Sequence, residues 1–185
     1  DKVFRTDLDF SDMLGRHVEY YTEKKENDFE TLLFCTIDEG RDETIEISAV
    51  DVEDFSNYTY TYISGNKKRS IGISTSSQVI YNGKTVDLAH YSDALMKPAS
   101  GSVTLIKTAG SSAYNVVIIE AYADIEVINT DAEKRIIYTF TGGYKYLSDN
   151  PLECRLNGAS GGEYDFKNIK KNHIVSIAES VDQSF

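Results

Sequence analysis

Apolar and polar residues alternate along most of this chain, and a period of two places successive side chains on opposite faces of an extended backbone. Thr44 to Val52 is the clearest case: Ile45, Ile47 and Ala49 alternate with Glu46, Ser48 and Val50, as in a strand with one buried face. The same reading predicts strands over His17 to Thr22, Phe29 to Ile37, Asn57 to Ser64 and Ser102 to Lys107, with a short one over Ser70 to Ser74. Tyr114 to Ile128 reads as a long strand bent near Ala123-Asp124, with Arg135 to Tyr146 as its antiparallel partner. Val79-Ile80-Tyr81, Asn82-Gly83 and Lys84-Thr85-Val86 form the strongest local signal. Asn-Gly accepts positive φ at both central positions of a tight turn, so the flanking β-branched residues pair as a hairpin.

Charged or glycine-bearing segments separate these runs: Glu23 to Asp28, Asp38 to Asp42, Asp51 to Asp54, Gly65 to Lys68 and Asn129 to Lys134. Asp87 to Met96 breaks the alternation, and Ser148 to Gly162 reads as a surface loop. In the tail, Phe166, Ile169, His173, Ile177 and Val181 match a helical face, whereas His173 to Ala178 alone matches a strand; the strand is preferred. Roughly ten strands at short spacing, with no βαβ order and no fixed repeat, predict an all-β fold. An antiparallel barrel buries one face of so many strands economically, with a two-sheet β-sandwich as the alternative. No Pro/Ser-rich linker interrupts the chain, so residues 1–185 are expected to form a single domain.

Charge narrows the partners. Lys and Arg number 19 against 30 Asp and Glu, a net charge of −11. Such a balance opposes binding to nucleic acid or to an anionic membrane surface, both of which rely on Lys and Arg. Interleaved basic residues make the acidic turns a soluble coat rather than one patch. The longest run of aliphatic residues, Val116 to Ile119, is far short of the ~20 residues that a membrane-spanning helix needs. The sequence opens on Asp1 with no apolar leader; removal of a leader would make the protein an exported one. Cys35 and Cys154 form no C-x-x-C or metal pair; two free thiols and a disulfide between them are both open.

Tests for chemistry are largely negative. Ser160 lies in Gly158-Ala159-Ser160-Gly161 without the strand-turn-helix setting of a nucleophile elbow. His17, His90 and His173 are isolated in sequence, and the glycine-rich segments lack the Lys of a phosphate loop. Asp7, Asp9 and Asp12, and the Asp38 to Glu43 turn, hold oxygen donors of the kind calcium prefers, but the twelve-residue calcium loop is absent and solvated turns are expected. No catalytic residue, metal ligand or cofactor is assigned.

Aromatic patterning says more. Tyr58, Tyr60 and Tyr62 share one face of the predicted Asn57 to Ser64 strand, about 6.6 Å apart along it, apolar in body and hydrogen-bonding at the tip. They are the candidate ligand-binding residues; packing against neighbouring strands is the structural alternative. There is no Trp, the usual platform for sugar stacking, although Tyr can serve.

Three stretches carry a resemblance: Ser100-Gly101-Ser102-Val103-Thr104-Leu105-Ile106-Lys107, then Tyr114-Asn115-Val116-Val117-Ile118, then Ile137-Tyr138-Thr139-Phe140-Thr141-Gly142-Gly143-Tyr144. Together they span about 45 of the 185 residues and resemble exported lipocalin-like (calycin-like) β-proteins and lipoproteins of gut Bacteroidetes. The resemblance implies a lipocalin-like barrel with an extracytoplasmic location, secreted or attached to the cell surface. The lipid-anchoring Cys of such lipoproteins is missing near Asp1, and no functional residue carries over. The expected function is a non-enzymatic binding module for a small amphipathic ligand or glycan. The alternative is a structural or adhesive surface protein acting through protein–protein contacts; an enzyme with paired carboxylates ranks third.

Overall fold

A computed structural model describes residues 10, 13–24, 30–38, 40–87, 94–149, 154, 156–159 and 162–180. The chain divides into two compact units, Asp1–Glu120 and Ala121–Phe185. The boundary falls where only Tyr122 separates two strands, which explains why no linker marks it. The described residues form strands, short 3-10 turns and loops, with no α-helix. The strands are β1 (Val18–Lys24), β2 (Glu30–Ile37), β3 (Glu43–Ser48), β4 (Val52–Ser56), β5 (Thr59–Ser64), β6 (Lys67–Tyr81), β7 (Lys84–Val86), β8 (Gly101–Lys107), β9 (Tyr114–Ala121), β10 (Ala123–Asp131), β11 (Ile136–Thr139), β12 (Tyr144–Tyr146) and β13 (Ile174–Ile177).

Several local expectations are met. Asn82 and Gly83 have φ of 44° and 79°, and Tyr81 pairs with Lys84 in the hairpin read from the sequence. The tail closes as strand β13, while Phe166 and Ile169, which matched a helical face, are buried together through a 3-10 turn at Phe166–Asn168. Others are corrected. The acidic Asp51 to Asp54 segment is not simply a turn: it supplies a 3-10 turn at Ala49–Asp51 and then β4, whose Val52 and Phe55 are buried. Asn57 and Tyr58 are not strand residues; with φ of 48° and 56° they form the tight turn between β4 and β5. The short Ser70 to Ser74 strand belongs to the fifteen-residue β6.

β6 accounts for the largest departure, because it pairs in parallel with β9 and makes the sheet mixed rather than purely antiparallel. Its first half pairs with β5; its second half pairs with β7 on one side and β9 on the other. Between the halves, Ser74–Ser77 bulge out of register. The Ser77 hydroxyl is buried there, donating to the carbonyls of Ser74 (2.7 Å) and Tyr114 (3.2 Å). Such a bulge lets one strand turn a corner of a curved sheet.

The sheet of the first unit runs β3-β8-β9-β6-β5-β4, with β7 beside β6. Its two edges, β3 and β4, are consecutive in the chain and joined only through Ala49–Asp51. A flat sheet would hold those edges about 24 Å apart, whereas four residues of chain reach about 14 Å at most. The sheet therefore curls into a half-barrel, and it does not close, since no β3–β4 ladder exists among the described residues. Ile47, Val103, Leu105, Val117 and Ile119 are buried on one face. On the other, Ile106, Val116 and Ile80 form a second cluster, with Gly15 against Val116 and Ile106. Gly15 has φ +71°, and a Cβ there would sit 2.6 Å from Val116 Cγ1, so only glycine fits. Burial on both faces explains the unbroken apolar run Val116 to Ile119. β1 and β2 form a separate two-stranded ribbon.

The second unit is a four-stranded antiparallel sheet, β12-β11-β10-β13. Val127, Ile137, Phe166 and Ile169 make its core, with Ile125, Leu147, Leu156, Tyr164 and Val175 packed around it. The Arg135 guanidinium lies 5.3 Å from the Phe166 ring centroid, and its Nε–H donates to the Leu147 carbonyl. Asp165 caps the 3-10 turn by accepting from the Lys167 N–H.

Candidate functional site

The three tyrosines singled out by sequence part company. Tyr60 is fully buried and stacks in a tilted pair with Phe55 at 4.6 Å between ring centroids. Its hydroxyl has no hydrogen-bond partner among the described residues, and burial pushes its phenol pKa far upward. Tyr62 is 8% exposed, while Tyr58 sits on the β4–β5 turn and is 42% exposed. The strand does not present a continuous tyrosine strip, because Tyr58 leaves the strand and the curl of the sheet buries the other two.

Two clefts open on the first unit. One, of about 310 Å³, lies where the sheet fails to close. β3 contributes Glu46, Ile47 and Ser48; the 3-10 turn contributes Asp51; Tyr62, Ile63 and Ser64 come from the end of β5, followed by Gly65 and Asn66. Gly65 and Asn66 take φ of 56° and 64°, the tight-turn geometry that brings the end of β5 to this position. Carboxylates, hydroxyls and an amide make its polar lining, without a Lys or Arg among the described residues.

The second cleft, of about 330 Å³, is formed by Phe10, the segment from Met13 to Arg16 and one face of the β1–β2 ribbon. Met13, Leu14, Val18, Tyr20, Leu32 and Cys35 make it predominantly apolar, with Arg16 in its wall. No ion pair or side-chain hydrogen bond involves Arg16 among the described residues. On the opposite face of the ribbon, Tyr21 and Phe34 pair across the strands at 6.2 Å, next to a register shift that leaves Leu33 exposed.

A network of polar ties sits near the start of β3. The Asp42 carboxylate, 6% exposed, accepts the His17 N–H at 2.7 Å, the His17 Nδ1–H at 2.6 Å and the Ala109 N–H at 3.1 Å. Burial raises the Asp42 pKa, but the His17 and Ala109 hydrogen bonds outweigh it and hold the carboxyl below its ordinary value. Glu43 accepts from the Tyr114 hydroxyl at 2.6 Å and pairs with Lys107 at 3.3 Å; both lower its pKa, the Tyr114 bond most. Burial, then Glu43, pushes the Tyr114 phenol up to about 12. The Asp42–His17 bonds tie the start of β1 to the start of β3, whereas Glu43, Tyr114 and Lys107 link strands within the large sheet. The Asp38 to Glu43 turn is thus only partly solvated: Arg41 pairs with Asp38 at the surface, while Asp42 is buried.

His173 accepts the Lys170 N–H in the second unit, and both Cys35 and Cys154 carry free thiols. Asp7, Asp9, Asp12, His90 and Ser160 lie outside the described residues. Among the described residues, no group of three or more His, Cys, Asp or Glu is placed to hold a metal ion, and no helix is long and apolar enough to cross a membrane. The chain matches no known family model, no curated protein and no solved structure.

Sequence reasoning missed both clefts. Glu46 was legible as an outward residue of β3 and Gly65-Asn66 as a turn, but their convergence depends on the curl. His17 and Asp42 are 25 residues apart, with no local signal linking them.

Proposed function

We propose that this chain is a non-enzymatic binding module for a small amphipathic ligand, held in the apolar cleft beside β1 and β2. The observation that carries this reading is the cleft's lining: Met13, Leu14, Val18, Leu32 and Cys35 cover it with apolar surface, and among the described residues Arg16 alone supplies a full charge. Concave apolar surface with one orienting polar group is the usual composition of small-ligand sites, and about 330 Å³ is at the small end of their range. Phe10 and Tyr20 take the place of Tyr58, Tyr60 and Tyr62 as the aromatic contacts. An acyl chain of modest length would lie on the leucines, with its polar end toward Arg16. An exported, lipocalin-like setting belongs to the same proposal.

Titration of the protein with 1-anilinonaphthalene-8-sulfonate, followed by displacement with decanoate, tests this reading. Saturable one-to-one fluorescence is expected, displaced by decanoate and weakened at least tenfold by Leu32→Asp. Fluorescence that does not saturate, or that Leu32→Asp leaves unchanged in a protein with wild-type circular dichroism, overturns it. Action through protein–protein contacts is the second reading, and the edge of β3, unpaired among the described residues, favours it.

A further inference from the structure

The open seam of the half-barrel carries an inference independent of the small-ligand site. β3 pairs with β8 along its whole length, from Glu43 opposite Lys107 to Ser48 opposite Ser102. In an antiparallel ladder alternate residues turn their N–H and C=O groups away from the partner. Among the described residues those outward groups of β3 meet no backbone partner. Across the cleft, β4 begins pairing with β5 only at Val52 opposite Tyr62. The outer edge of Ile63 and Ser64, which are paired with β6 on their other side, therefore lies beyond the end of β4. The cleft of about 310 Å³ separates these two unpaired lengths of backbone, and the Ala49–Asp51 turn bounds it. An extended segment entering there would continue the line of β4 and satisfy backbone groups of β3.

Charge selects the segment. Glu46 and Asp51 are the only charged residues lining the cleft, and neither has a side-chain partner among the described residues. By contrast, neighbouring Glu43 is paired with Lys107, and Glu53 with Lys68. A second copy of the chain would bring the same acidic edge and a net charge of −11, so like-charge repulsion opposes it. We infer that the seam between β3 and the end of β5 takes up an extended, Lys- or Arg-bearing peptide segment of another protein by strand addition, with its basic side chains on Glu46 and Asp51. Backbone pairing supplies affinity that tolerates sequence, and the two carboxylates supply the selection for positive charge.

Three fluorescein-labelled hexapeptides test this against the full chain by fluorescence anisotropy: alternating Lys and Val; alternating Glu and Val; and the Lys–Val peptide N-methylated on one backbone edge. Only the unmodified Lys–Val peptide is expected to bind. N-methylation should weaken it at least tenfold, and Glu46→Lys or Asp51→Lys should each do the same. Amide exchange should slow at residues 43–48 on binding. Equal binding of the N-methylated peptide would reduce the effect to charge alone and overturn strand addition. Binding unaffected by both charge reversals, in variants with wild-type circular dichroism, would overturn the site. Sedimentation showing a dimer that Glu46→Lys disrupts would make the second copy the occupant instead. Decanoate displacement, measured in parallel, reports on the other cleft, so loss of one activity is distinguishable from loss of the other.

Discussion

Tyr60 and Tyr62 on β5 and Tyr20 and Tyr21 on β1 are the same residue on the same kind of element, yet their fates are opposite. Tyr60 is 0% exposed; Tyr21 is 65% exposed. β5 lies between β4 and β6 in a sheet whose edges are forced together by a three-residue connection, so one face of β5 must point into the curl. Among the described residues β1 has β2 as its only strand neighbour, and a two-stranded ribbon has too little surface to enclose its own side chains. Strand neighbours, rather than residue type, decide whether a tyrosine becomes core or contact surface.

Replacing Tyr60 by Ala should break the buried side of this comparison most severely. A loss of about 3–5 kcal/mol in urea unfolding is expected for an aromatic removed from a packed interior. A loss below about 1 kcal/mol would mean that Tyr60 is not enclosed.

Asp42→Asn addresses the tie between the ribbon and the sheet and should cost about 2 kcal/mol at pH 7, from weakened charge-assisted hydrogen bonds to His17 and Ala109. Because the Asp42 carboxyl is held below its ordinary value in the folded state, its contribution is fully present above the unfolded carboxylate range, about pH 4. It is lost as pH falls further, through the folded pKa. The stability gap between wild type and Asp42→Asn should therefore shrink on acidification below about pH 4; a gap that widens instead would refute the assignment.

Tyr60→Phe sharpens the same site from the other direction. Its hydroxyl has no partner among the described residues, so removal should leave stability unchanged or raise it by about 1 kcal/mol. A clear loss of stability would reveal a hydrogen bond at that hydroxyl. At the exposed side, Phe34→Ser should cost least, about 0.5 kcal/mol, the worth of one cross-strand aromatic pair with Tyr21. Thermal melts are sufficient to separate that value from the effect of Tyr60→Ala.

Local chemistry alone determined a good part of this protein. Period-two alternation marked β3, Asn82-Gly83 marked the β6–β7 hairpin, and the closing segment was preferred as a strand, because φ/ψ preference and side-chain alternation act over two to eight residues. Tertiary structure decided which strands are neighbours. The parallel β6–β9 pair, the partly buried His17–Asp42 contact and both clefts depend on residues far apart in sequence. The physical reason is chain connectivity: β3 and β4 are joined by three residues while four other strands lie between them in the sheet, and only the folded chain meets both conditions, by curling.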